Sequence, residues 1–97
     1  MISDEFSTNQ QGWLREVTTR IGEHKVRVTI YRDSYDFQSL LYVDVWSPTA
    51  LKWDTIKTLS GMDYKDLPSQ HSQESAWRKA SQPIIDKLLD YPKEILT

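Results

Sequence analysis

The residues that most often carry acid–base or nucleophilic chemistry are few and scattered in this sequence. His24 falls in a predicted hairpin turn and His71 in a predicted connection, so we expect both side chains to be solvated rather than to act as catalytic bases. No serine lies in the strand–turn–helix sequence of a nucleophile elbow, and no base is placed beside one by local spacing. The sequence therefore predicts no nucleophilic hydrolysis.

Metal and phosphate chemistry also lack a motif. Asp33 and Asp36 lie close together, but the spacing and the terminal glutamate of an EF-hand are missing, and carboxylates that satisfy turn backbone groups are the simpler interpretation. There is no cysteine, which excludes disulfides and thiolate metal sites, and the three glycines are too far apart to form a phosphate loop. We predict a non-enzymatic protein with no catalytic residues, no metal and no cofactor.

Length and composition indicate one small folded domain. The chain has 97 residues, of which 38% are hydrophobic and 27% charged, and this apolar content is sufficient for a core. Residues 1–11 form a polar run without periodicity, which we interpret as a flexible lead to a single domain over residues 12–97. The sequence has neither the regions of a secretory signal nor an apolar stretch of membrane-spanning length. A cytoplasmic protein without membrane contact is expected.

Alternation of apolar and polar residues predicts an antiparallel sheet. Three segments have a period of two, around residues 13–21, 26–30 and 41–45, and Gly22 provides a tight turn that makes the first two a hairpin. A fourth strand over residues 51–59 carries apolar side chains of both parities, which a bulge or a late helical turn would reconcile.

The last part of the chain changes to helical spacing. Its apolar residues recur on one face of a helix, but Pro83 lies inside it, where a proline costs about 3 kcal/mol, so we predict a helix kinked or split near Pro83. The predicted fold is α+β, a four-stranded antiparallel β-meander packed on this one C-terminal helix. Its core should comprise Trp13, Val17, Ile21, Val26, Val28, Ile30, Leu41, Val43 and Val45 from the sheet, with Trp77 as the anchor of the helix beside Ile84 and Leu88.

The opposite face of this sheet is the candidate functional surface. Tyr31, Tyr42 and Trp46 should lie there, with Arg20 and Arg27 at the edge of the aromatic set. Exposed sheet faces usually carry Thr, Lys and Glu, whereas aromatic residues and arginine are enriched in protein interfaces. The pattern favours a protein partner, although aromatic pairs that only stabilise the sheet are an equally good interpretation.

Charge is segregated along the chain. Residues 11–32 carry a net charge of +3 and residues 33–74 a net charge of −4, so the two parts could pair internally. A basic hairpin with Arg20, Lys25 and Arg27 beside the aromatic residues could instead bind single-stranded nucleic acid, but the overall charge of −2 disfavours this alternative. We favour an interaction module that binds a protein partner or a second copy of itself. Its size would suit an inhibitor or accessory factor of a phage or another mobile element.

Overall fold

The described residues form a five-stranded antiparallel sheet with one helix on one face. The computed structural model describes residues 2–9, 12–33, 39–60 and 74–96. The strands follow one another in the sheet in the order in which they occur in the chain, so the sheet is a meander and the expected α+β class is confirmed. In chain order the elements are β1 (Ser3–Asn9), β2 (Gly12–Ile21), β3 (His24–Asp33), β4 (Ser39–Ser47), β5 (Lys52–Ser60) and α1 (Glu74–Leu96).

The predicted count of four strands is wrong, because residues inside the expected flexible lead form β1. This strand pairs antiparallel with β2 along its whole length. Phe6 lies opposite Arg15, and its ring packs on the rings of Trp13 and Trp77 at centroid distances of 5.1 and 5.3 Å. Only one aromatic side chain of β1 joins the core, which is too few to produce a period of two in the sequence.

The core lies between the sheet and the helix, as predicted. Trp13 and Trp77 stack with their ring planes 11° apart at its centre, and Trp77 has no exposed surface, which confirms it as the helix anchor. Val45 and Ile84 pack against this core while partly exposed. The fully buried hydrophobic side chains are Trp13, Val17, Ile21, Val26, Val28, Ile30, Leu41, Val43, Trp77, Ile85 and Leu88.

The helix α1 is continuous from Glu74 to Leu96, so the helix is not split near Pro83. Pro83 is exposed, so the hydrogen bond that it cannot donate is lost on the solvent side, where water can replace it. Buried residues on both sides of the proline, Ser81 and Ile85 among them, pack on the same sheet face and stabilise the helix across the proline. Within the described part of the chain, no helix has the length and apolar character needed to cross a membrane.

A bulge in β5 resolves the mixed parity of that strand. Val43 pairs with Lys57 and the next residue, Asp44, pairs with Thr55, so Ile56 is the extra residue. As a result Ile56 packs against the core, and Trp53 and Thr55 before it lie on the face away from the helix, opposite to Leu59 after it. The bulge predicted as one of two explanations is therefore confirmed.

Candidate functional site

The structure places all five candidate binding residues on the sheet face away from the helix. Tyr31, Tyr42 and Trp46 alternate along their strands with core side chains, and so do Arg20 and Arg27. The rings of the three aromatic residues are partly exposed, and Arg20 is exposed. We call this surface the outer face.

The aromatic residues of the outer face form two separate groups rather than one row. Tyr42 lies opposite Thr29, and Tyr31 lies two residues further along β3, so the two tyrosines are diagonal neighbours. Trp46 is four residues further along β4, which at about 3.3 Å per residue separates it from Tyr42 by roughly 13 Å. The predicted residues therefore do not make a single aromatic patch.

A charged cluster lies between the two groups. Arg27 donates two hydrogen bonds to Oδ2 of Asp44, through Nη2 at 2.8 Å and Nε at 3.1 Å. The Thr55 hydroxyl donates to the other carboxylate oxygen at 2.6 Å, and the guanidinium lies 4.3 Å from the ring centroid of Trp53. Glu16 is a further 3.8 Å ion-pair partner of Arg27. Arg27 is thus paired with carboxylates of this chain, the alternative that the segregated charge left open, and its charge is largely neutralised.

The Trp46 end of the outer face contains an open cleft of about 510 Å³. The turn between β2 and β3 and the turn between β4 and β5 meet there, so residues far apart in sequence share one concave surface. Arg20 has no ion-pair partner among the described residues, so its guanidinium is available to a ligand. The cleft is lined by Arg20, Glu23, His24, Lys25, Trp46 and Pro48.

Trp53 is the main outer-face residue that sequence reasoning did not assign. Its ring meets that of Trp46 edge-on at 5.4 Å, and Lys25 Nζ lies 5.7 Å from its centroid. Its facing could not be read from the sequence, because Trp53 and Leu59 have the same parity and only the bulge at Ile56 puts them on opposite faces. The mixed parity of the sequence allowed a bulge or a late helical turn and did not place the bulge at Ile56.

A second polar cluster lies on the helix side of the sheet. Arg15 is buried there and directs all its N–H groups to protein acceptors, including both oxygens of Asp4 at 2.8 and 3.0 Å and the Ser81 hydroxyl at 2.8 Å. The remaining acceptors are the backbone carbonyl of Arg78 and the side-chain carbonyl of Gln82. The cluster fastens β1 and β2 to α1.

This second cluster keeps its carboxylate ionised. Hydrogen bonds from Arg15 hold the pKa of Asp4 below its ordinary value of 3.8, despite the opposing effect of burial. The charge of Arg15 and the nearby Arg78, whose Nη1 donates to Oδ1 of Asp4 at 2.8 Å, lower that pKa further. A carboxylate held ionised in this way suits a structural ion pair and not a general acid.

The remaining residues considered for chemistry do not assemble into a site within the described ranges. His24 lies in the cleft, where no group of three His, Cys, Asp or Glu side chains of the described residues is arranged to hold a metal ion. His71 and Asp36 lie outside the described residues.

Comparison with known proteins adds no relative. Neither a protein-family model, nor a curated protein, nor a solved structure matches this chain.

Proposed function

We propose that this chain is a small, cytoplasmic, non-enzymatic module that binds a protein partner, or a second copy of itself, through the outer face of its sheet. The binding residues are Trp46, Tyr42 and Tyr31, with Arg20 at the rim. Arg27 supports this surface by positioning Trp53 and by neutralising Asp44, instead of reaching the partner directly. An inhibitor or accessory factor works in this way, by covering part of another protein.

The observation that carries the proposal is the contrast between the two faces of the sheet. The helix covers one face, and no described element covers the other, which nevertheless displays partly exposed rings of Tyr31, Tyr42, Trp46 and Trp53. Solvated sheet faces need no such rings for solubility, and tyrosine, tryptophan and arginine are the residues that dominate binding energy in protein interfaces.

The test compares the wild type with Trp46→Ala. The mass of each protein in solution is measured first, because a homodimer that dissociates in the variant identifies self-association. Each is then immobilised to capture proteins from an extract of the source organism, with the captured proteins identified by mass. We expect a specific partner whose affinity falls by about 2 kcal/mol or more in the variant.

Lys87→Gln is the control for this experiment, because Lys87 is exposed on the helix, away from the outer face. It should retain the partner fully. Equal capture by the wild type and Trp46→Ala, with both proteins monomeric, would contradict the proposal. Binding of single-stranded nucleic acid with a steep linear loss of log affinity against log salt would replace it with the nucleic-acid alternative.

A further inference from the structure

The turn between β4 and β5 contains a leucine whose backbone conformation is unfavourable for an L-amino acid. Leu51 has a φ of 54°, and among the described residues it is the one non-glycine residue with positive φ. A left-handed backbone brings the Cβ of an L-residue too close to the following carbonyl oxygen, and glycine or asparagine is the usual choice there. The side chain of Leu51 is also 74% exposed, so burial does not offset the backbone strain.

The strained leucine lies in the turn that borders the cleft, three residues after Pro48. Pro48, in the same turn, lines that cleft together with Trp46, and Trp53 follows two residues after Leu51. The turn therefore carries an exposed aliphatic side chain between the two strands that hold the edge-on pair of tryptophans. An exposed strained residue beside a cleft that contains a tryptophan indicates a constraint other than stability.

The charges around this cleft favour an acidic partner. Arg20 and Lys25 line it against one carboxylate, Glu23, and Arg20 has no ion-pair partner in the described part of the chain. Lys52, beside Leu51, is exposed and pairs with Asp54 at 3.6 Å, a distance at which exposed ion pairs are weak. A protein segment with acidic side chains would meet an excess of positive charge in this cleft.

We propose that the partner docks at this end of the outer face, where Leu51 and Trp46 contact an apolar side chain of the partner and Arg20 and Lys25 pair with acidic residues that flank it. The inference rests on the proposed function and narrows it to a site and a partner chemistry. The ligand is a protein segment in which Asp or Glu residues surround one leucine or aromatic residue.

The first test measures the thermal stability of two variants. Leu51→Gly removes the side chain and the backbone strain, and we expect its Tm to rise by about 4 °C. Leu51→Ala removes the side chain but keeps the strained backbone, so its Tm should stay within about 1 °C of the wild type. A fall in Tm in either variant would mean that Leu51 stabilises the fold, and the inference would be overturned.

The second test selects ligands from a random peptide library displayed on phage, with the wild type as bait. We expect the selected peptides to be rich in Asp and Glu around one leucine or aromatic residue. Affinity for a selected peptide should fall about tenfold or more in Leu51→Ala, in Leu51→Gly and in the double variant Arg20→Gln with Lys25→Gln. Lys87→Gln, which removes one positive charge from the exposed side of the helix, is the control and should bind like the wild type.

Other outcomes separate this inference from the proposed function. Selected peptides that lose affinity in Tyr42→Ala but not in Leu51→Ala would overturn the docking site and leave binding by the outer face intact. Peptides without acidic enrichment would overturn the partner chemistry. Peptides that bind all these variants and Trp46→Ala like the wild type, or a failure to select any, would overturn both. Preference for oligothymidine over every selected peptide would overturn both in favour of nucleic acid.

Discussion

The two faces of the sheet each contain an arginine–aspartate pair at 2.8 Å, but the two pairs stabilise different parts of the structure. On the helix side the arginine is the buried partner, since the Arg15 side chain is 4% exposed and Asp4 is 18% exposed. On the outer face the aspartate is buried, because Asp44 is 2% exposed and Arg27 is 23% exposed. The same pair of residue types thus occurs with opposite burial.

The difference shows how each face is held together. Arg15 contacts β1 and α1 at once, and its partner in the helix, Gln82, is 67 residues away in sequence. Arg27 connects adjacent strands and lies on the ring of Trp53. The helix side is therefore stabilised by contacts between layers, and the outer face by contacts within one sheet, which leaves its rings and Arg20 available for binding.

Trp77→Ala should have the largest effect, because it removes the centre of the contact between layers. Trp77 is fully buried and stacks on Trp13, so we expect a loss of about 3–5 kcal/mol in the free energy of unfolding, measured by urea denaturation. Trp77→Phe keeps part of the aromatic contact and should lose less. A midpoint equal to that of the wild type would mean that the helix packs by another face.

Arg15→Ala should follow, with a loss of about 3 kcal/mol. The substitution leaves Asp4 without its bidentate partner and opens a cavity between β2 and α1. Arg15→Met fills that space with an apolar chain and should recover part of the loss. If Arg15→Met is as unstable as Arg15→Ala, the charge of Arg15 matters more than its packing.

Asp4→Asn should cost about 2 kcal/mol at neutral pH, and the difference from the wild type should shrink in acid. Because the folded protein holds the pKa of Asp4 below 3.8, the ionised side chain stabilises the fold above that pH. This contribution is lost as the pH falls through the lowered folded-state value. Urea denaturation of both proteins at a series of acidic pH values measures it, and a difference that does not change with pH would contradict this assignment.

Trp46→Ala should have the smallest effect on folding, about 1 kcal/mol or less, because its ring is partly exposed and pairs mainly with Trp53 across adjacent strands. The comparison with Trp77→Ala is the sharpest test of the two faces. A loss as large as that of Trp77→Ala would mean that Trp46 belongs to a core, and the proposed binding surface would not exist.

The sequence by itself determined the parts of the fold that depend on local periodicity. Alternation placed Val26, Val28 and Ile30 in the core, and helical spacing made Trp77 the anchor, since each pattern reports the facing of its own element. The positions of the outer-face residues followed from the same parity. The sequence therefore predicted on which face each candidate residue lies, but it did not predict how these residues are arranged relative to one another.

Only the tertiary structure decided which distant residues meet. The ring of Phe6 packs on Trp77 and the carboxylate of Asp4 accepts hydrogen bonds from Arg15, and these contacts hold β1 in the sheet. No pattern within residues 1–11 contains that information. The bulge at Ile56 moved Trp53 to the outer face, and packing on both sides of Pro83 kept the helix continuous. Likewise Asp44 neutralises Arg27, while Arg20 lines the cleft without an ion-pair partner among the described residues. In each case the stabilising contact joins different elements, and the periodicity of a single element does not report such contacts.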